Sequence, residues 1–387
     1  MQSDQQLPYK TVQDIATQMG FSLVGIVPAM PSDHGDYMRR WLNAKKHGEM
    51  GYLAKHLEKR LDPGKLFTGA KSVICVADCH ACNYDSTGSD PNRIGKIARY
   101  SWGDDYHKII KSRLFQLADA LRTRWPDQHY QAAVDTAPIL EREHAHRAGL
   151  GWIGKHTLLI HPKLGSWMLL GQIVTTLSID FTPPHDAEVA AEPLGEPLTD
   201  HCGSCTRCIN ACPTQCISPD GYQLDASRCI SYLTIEHRGA IEPDLFKAMG
   251  QWVAGCDICQ EVCPFNSPEH QSKYPVIPSH HRYTPRPPAP GIDLLELLDW
   301  DTKTRQEAFR SSALKRIKLT QLRRNAVIAA GNYLAQHEDD ELYRRLNQIA
   351  QDPNELDLVR STAQQVLHAD NAVPGIDMDG FASHTTG

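Results

Sequence analysis

The 387 residues exceed one small domain, and at roughly 100–200 residues per domain they predict two or three packed units. Hydrophobic residues at 41% and charged residues at 22% make an ordinary globular balance that excludes wholesale disorder. Forty basic against 46 acidic residues give a net charge of −6, which excludes a generally nucleic-acid-coating protein, so any polyanion must meet a local basic patch.

The amino terminus, Met1 to Gln6, has neither a basic nor an apolar stretch, so no export signal is read and a cytoplasmic location is expected. Val12, Ile15, Ala16 and Met19 recur at helical spacing, Gly20 can stop that helix, and Phe21 to Val27 reads as a strand. Ser72 to Ala77 reads as a second strand. A polar loop around 83–95 leads to a helix over 104–124, with Ile109, Ile110, Leu114, Leu117, Ala118 and Leu121 on one face. Trp167 to Leu177 reads as a buried strand; its 11 residues fall short of the roughly 20 that span a bilayer, so no membrane association is expected. Alternating strands and helices predict an α/β (α+β) domain with a largely covered sheet over 1–180. A Pro- and acid-rich linker, 181–200, precedes the cysteine-dense segment, and a second Pro-rich stretch, Tyr274 to Pro290, follows it. The last third is helical in pattern. There Leu322-Arg323-Arg324-Asn325-Ala326 aligns with Val359-Arg360-Ser361-Thr362-Ala363 at a spacing of 37 residues, which predicts two stacked HEAT-like α-hairpins. The expected domains are therefore 1–180, 181–285 and 286–370, with a disordered tail at 371–387.

Nine of the twelve cysteines fall between residues 202 and 263, which in a chain read as cytoplasmic points to metal ligation rather than disulfides. Cys202-x2-Cys205-x2-Cys208-x3-Cys212-Pro213 has the bacterial ferredoxin spacing, in which the fourth thiolate serves a second cluster. The required partner half is Cys256-x2-Cys259-x3-Cys263-Pro264, short of one ligand that Cys229 can supply. Crossing the halves gives one 4Fe-4S cluster on Cys202, Cys205, Cys208 and Cys263, and another on Cys212, Cys229, Cys256 and Cys259. Structural zinc on two C-x2-C pairs would leave Cys208, Cys212 and Cys263 unexplained. Cys216 finds no vacancy and reads as a buried small apolar residue, and Cys75, Cys79 and Cys82 read as structural.

Gly149-Leu150-Gly151-Trp152-Ile153-Gly154 matches a dinucleotide fingerprint by letter, but it follows a helical stretch, Ile139 to Ala148, instead of a strand, and reads as a tight loop. Asp135 stands at the end of a short apolar strand, ahead of Pro138. On pattern it caps a helix opening at Pro138; a carboxylate beside an apolar cavity can instead deliver protons, and the residues leave both open. From Lys303 to Arg324 eight basic residues face one acid, Glu307, a one-sided run suited to phosphate contact or to a solvated helix face.

Arg60-Leu61-Asp62-Pro63, Ala98-Arg99-Tyr100 through Asp105-Tyr106-His107, Val134-Asp135-Thr136-Ala137-Pro138 and Ala148 to Lys155 stand in a distinctive order. With the paired cysteine halves, Cys229 to Glu236, Gly255 to Gln260 and Leu322 to Ala326, they resemble the epoxyqueuosine reductases over nearly the whole chain. The resemblance implies a cobalamin-binding α/β domain, a ferredoxin-like domain with two 4Fe-4S clusters and a helical module gripping tRNA. The substrate would be epoxyqueuosine at the wobble position, flipped into the cavity, with an external low-potential electron donor and a chain acting as a monomer. It assigns Asp135 as proton donor, against the capping preference. No Asp-x-His-x-x-Gly stretch offers a lower cobalt ligand, so base-off binding is expected. Arg60, Tyr100, Ser101, Asp135, Lys155, Thr157, Ser231 and Thr234 are the expected cobalamin contacts, and Lys315, Arg316, Lys318, Arg323 and Arg324 the expected tRNA contacts. Two rivals remain. A reductive dehalogenase would leave the basic region without a purpose, and a two-cluster electron carrier would not need the amino-terminal domain.

Overall fold

A computed structural model describes residues 7–80, 93–180, 199–275 and 279–369. The expected linker, the tail, most of the polar loop after the second strand, and Cys82 lie outside them. The amino-terminal part is built on a four-stranded sheet in the order Leu23–Pro28, Ser72–Cys79, Met168–Thr175, Tyr130–Ala133. All three pairings are antiparallel, so strands and helices alternate in the sequence without parallel crossovers. Ser72–Cys79 is buried along its whole length because both faces are covered. Ile74 and Val76 meet helices Tyr9–Gln18 and Tyr106–Arg124 through Val12, Ile110 and Leu114 on one side. Val73, Cys75 and Ala77 meet Ile139, Ala145 and Leu150 on the other, the two-residue period of a strand. Cys75 and Cys79 are thus core residues of this strand.

Gly149, at φ 77°, stops helix Glu141–Arg147, and Gly151 onward forms a hairpin, Trp152–Ile153 against Leu159–Ile160. The glycine motif is a tight loop, as read. A Cβ on Gly25 would lie 2.3 Å from the Ala148 carbonyl oxygen, which is how closely this helix end rests on the sheet.

The boundaries expected at 180/181 and 285/286 do not divide the core. Strand Ile94–Ile97 pairs in parallel with Trp252–Ala254 and antiparallel with Gly291–Asp293, so three distant segments share one sheet. One apolar cluster joins Ile97, Ile230, Leu233 and Val253 to Leu297, Leu322, Val327, Leu346 and Val359. At its centre runs helix Leu319–Leu334, flanked by Asp340–Gln351 and Asp357–Ala369. The aligned positions Leu322 and Val359, and Ala326 and Ala363, are all fully buried. Among the described residues no helix is long and apolar enough to cross a membrane.

The basic run is not one helix. It comprises helix Thr302–Ala308, a 3-10 turn Ala313–Arg316 and the start of Leu319–Leu334. Arg324 is 0% exposed. It donates to the carbonyls of Leu233 (2.6 Å), His237 (3.0 Å) and Gly239 (2.5 Å), while Asn325 beside it donates to those of Thr234 and Val253, both at 2.9 Å. Arg323 forms a two-pronged bond to the Glu355 carboxylate (2.9 and 2.6 Å). Both arginines are internal fasteners, and the expectation that they contact tRNA is corrected: burial and satisfied donors leave no fork for a phosphate. Arg324→Leu strips charged donors from three carbonyls and is expected to lower unfolding free energy by roughly 2–3 kcal/mol. Substitution of exposed Arg310 by Ala should stay within about 0.5 kcal/mol. Chemical denaturation of both variants checks the contrast.

Candidate active site

A cavity of about 1300 Å³ lies between the amino-terminal sheet domain and the cysteine segment. It exceeds the ~300–1,000 Å³ that suits drug-sized ligands and has room for a large cofactor with a nucleoside beside it. Its wall includes Arg60, His80, Tyr100, Asp135, Glu141, Arg142, His156, Thr157, Cys212, Cys229, Ser231, Cys256, Cys259 and Arg316.

Asp135 follows strand Tyr130–Ala133 at φ 45°, in the left-handed region. The Thr136 N–H returns to the Val134 carbonyl, closing a three-residue turn in its rarer, positive-φ form. Such conformations cost on the order of 1–3 kcal/mol and persist where neighbours over-determine them. Here the neighbour is Glu141, whose Oε1 accepts the Asp135 N–H at 2.8 Å. The helix begins at Glu141 with Leu140 at its cap position and Pro138 outside it, so Asp135 caps nothing and the capping reading is overturned. The Asp135 side chain, 46% exposed, opens onto the cavity and accepts from His107 Nε2 at 3.0 Å; His107 Nδ1 binds Asp105 at 2.8 Å.

Protons in this group are unevenly held. Burial alone would lower His107, but hydrogen bonds to Asp105 and Asp135 raise it to about 9. Burial likewise opposes ionisation of Asp135, yet the His107 bond, with Arg316 and Arg142 nearby, holds it below the usual carboxylate range. Glu141 is pushed up to about 8 by burial and then by the Asp135 charge. Near neutrality the site therefore holds protons on His107 and Glu141, with Asp135 as the carboxylate between them.

The thiols form two groups. Cys263 senses Cys202, Cys205 and Cys208; Cys256 senses Cys229 and Cys212, and Cys259 senses Cys256 and Cys229. This grouping is compatible with the two crossed quartets expected from the spacing, and Cys259 also feels Cys208. Among the described residues no three His, Cys, Asp or Glu side chains converge closely enough for a single metal ion; the groups are looser. Burial and the neighbouring thiols push Cys263 up to about 11, and Cys256 and Cys259 further. Thiols raised in this way ionise readily around cationic metal, which fits the donor set of iron–sulfur clusters. Of the eight expected ligands, those of the second quartet line the cavity, with Cys216 beside them. Cys216 is not a bystander: its Sγ lies 3.3 Å from that of Cys212.

Of the expected cofactor contacts, Arg60, Tyr100, Asp135, Thr157 and Ser231 line the cavity. Arg60 Nε, His80 Nδ1 and His156 Nε2 are buried without a hydrogen-bond partner among the described residues, as a polar ligand would require. Three expectations are corrected. Ser101 donates to the Ala98 carbonyl at 2.8 Å away from the cavity. Lys155 donates to the carbonyls of Gly203 (2.6 Å) and Cys205 (3.1 Å), pinning the loop of the first quartet. Thr234 is fully buried, donating to Ile230 O and accepting the Gly255 N–H. Arg316, expected on an outer basic face, lines the cavity and pairs with Glu236 at 2.6 Å. His107 and Glu141 were not singled out in the sequence; the Asp105-x-His107 spacing carried the only signal, and Glu141 carried none.

Residues 201–266 match the family described as "4Fe-4S double cluster binding domain", which makes the chain an iron–sulfur protein with a cofactor-sized cavity at the edge of its cluster segment. Residues 60–136 match the family described as "Epoxyqueuosine reductase QueG, DUF1730". The chain is 37% identical over 324 residues to epoxyqueuosine reductase of Vibrio cholerae, covering 83% of this chain and 82% of that one. It is 35% identical over 318 residues to that of Escherichia coli, with 81% and 78% covered. The structure of epoxyqueuosine reductase from Streptococcus thermophilus superimposes with a TM-score of 0.79 at 29% identity, covering 95% of this chain and 91% of that one. An epoxyqueuosine reductase crystallised with an epoxyqueuosine-modified tRNA-Tyr stem loop gives 0.78 at 25% identity, with 95% and 94% covered. The chain belongs to the epoxyqueuosine reductase family.

The proton distribution is measurable without turnover. In histidine-labelled protein, NMR should show His107 titrating near 9. Asp135→Asn, which removes a charge favouring the imidazolium, should lower that midpoint; an unchanged midpoint would contradict the pairing.

Proposed function

We propose that the chain reduces epoxyqueuosine to queuosine in tRNA, with Asp135 and His107 supplying protons and the second cysteine quartet facing the reacting centre. The observation carrying this reading is the placement of Asp135, bonded to His107, and of Cys212, Cys229, Cys256 and Cys259 in the wall of one cavity. Opening an epoxide to an alkene consumes two electrons and two protons and releases one water. The clusters would supply electrons singly, the first quartet feeding the second, and an external low-potential donor feeding the first. Cobalamin fits the cavity's size and its unpartnered polar atoms, with Arg60, Tyr100, Thr157 and Ser231 as its contacts; when bound, it would supply a strongly nucleophilic cobalt.

The protein's own part is proton handling. Asp135 takes the His107 proton across their 3.0 Å contact and passes it to the leaving oxygen. Asp105 holds Nδ1 and so fixes which nitrogen faces Asp135. Glu141 keeps the Asp135 turn in place through the backbone N–H.

For tRNA, the exposed part of the basic run remains. Lys315 and Lys318 are exposed beside cavity-lining Arg316, and Lys303 and Arg310 extend the positive surface. The last three helices supply the HEAT-like module behind it, and the substrate places the work in the cytoplasm.

Asp135→Ala should keep about eight irons per chain, four for each cluster, while single-turnover conversion falls by about 100-fold or more. Full activity would remove the acid role. Lys315→Gln with Lys318→Gln should weaken tRNA binding and reduce the salt dependence of the logarithm of affinity by about two, one per lost phosphate contact. Binding curves at several salt concentrations read this out.

A further inference from the structure

The second quartet has a fifth sulfur that neither the spacing rule nor the activity uses. Cys216 is 5% exposed, with its Sγ 3.3 Å from Cys212 Sγ. Its backbone is held on both sides. Gln215, at φ 50°, closes a turn onto the Cys212 carbonyl at 3.0 Å; the Cys216 carbonyl accepts the Asp225 N–H at 2.8 Å, and Ile217 bridges Leu224. The side chain is therefore fixed over Cys212. Thr214 Oγ1 approaches the same sulfur at 3.6 Å.

The direction of the 3.3 Å contact follows from chemistry. A cluster ligand is a thiolate and has no proton to donate, so Cys216 carries the hydrogen and Cys212 accepts it. Two sulfurs in contact cannot occupy separate corners of a cubane, and the quartet is already full. We propose that Cys216 is a tuning residue of the cavity-facing cluster: its thiol donates a hydrogen bond to the Cys212 sulfur and raises the potential at which that cluster takes up an electron. Hydrogen bonds to ligand sulfurs are among the main controls of iron–sulfur potentials, because a donor stabilises the added negative charge. The consequence is that the cavity-facing cluster holds its electron more readily than it would without this bond.

This role rests on the proposed electron path but is tested apart from it. Anaerobically loaded protein, Cys216→Ala and Cys216→Ser are compared by iron content and by redox titration followed by electron paramagnetic resonance. The proposal expects about eight irons in each. One midpoint should shift to more negative potential in Cys216→Ala and return toward the parent value in Cys216→Ser, whose hydroxyl still donates; the other midpoint should not move. Unchanged midpoints in Cys216→Ala would overturn it. So would loss of about four irons in that variant, since Cys216 would then be a ligand. The shift appearing in protein that leaves epoxyqueuosine unreduced would uphold Cys216 while refuting the proposed activity.

Discussion

Eight thiols read as two sets of cluster ligands are the constraint on which the rest depends. Burial and neighbouring thiols oppose ionisation of Cys256, Cys259 and Cys263, and cationic metal in the segment from 201 to 266 would offset that cost. The surrounding fold is arranged to keep the two halves together. Lys155, leaving the hairpin of the amino-terminal domain, holds two carbonyls of the first cysteine loop. Gly165 lies so close to Asn266 that a Cβ would fall 2.0 Å from its Oδ1, and the Ser166 N–H meets that same oxygen at 2.7 Å. Asn266 stands two residues beyond Cys263-Pro264, so the strand entering the central sheet and the crossing cysteine are held close to one another.

The helix Leu319–Leu334 performs the corresponding task for the second group. Arg324 and Asn325 bind the carbonyls of the segment that follows Cys229, and Asn325 also binds Val253, three residues before Cys256. A charge buried without a carboxylate partner is expensive, and Arg324 is offset by carbonyl dipoles instead. Its persistence makes sense as a register device: it sets where Cys229 stands relative to Cys256. The proposed electron transfer and RNA binding would therefore share one core, because the same helix follows the exposed Lys315 and Lys318 and the cavity-lining Arg316.

What the sequence disclosed was local. The cysteine spacings describe loops of two or three residues, whose geometry is set by the chain itself, so the double-cluster segment was legible. The strand Ser72 to Ala77 and the helix of 104–124 followed from periodicity for the same reason. The pairing of Ile94–Ile97 with strands about 160 and 200 residues later was not legible, since it depends on tertiary assembly. The charge run from Lys303 to Arg324 misled in its last members because burial is invisible in a one-dimensional pattern; Arg323 and Arg324 resemble surface residues until Glu355 and the carbonyls are in place. Asp135 was misread on pattern because Pro138 suggests a helix start, whereas the chain stays irregular to Leu140. Glu141 matters through its position under a positive-φ turn, and no residue type announces that.

The central claim is that electrons entering through the cysteine segment leave at the cavity as a two-electron reduction of the nucleoside, with the corrinoid bound there. Anaerobic protein reduced by a low-potential donor, supplied with cobalamin and a stem loop carrying epoxyqueuosine, tests it directly. The account predicts one queuosine formed for every two electrons consumed, and none when cobalamin is withheld. Equal product without cobalamin, or electrons consumed without queuosine, would contradict it.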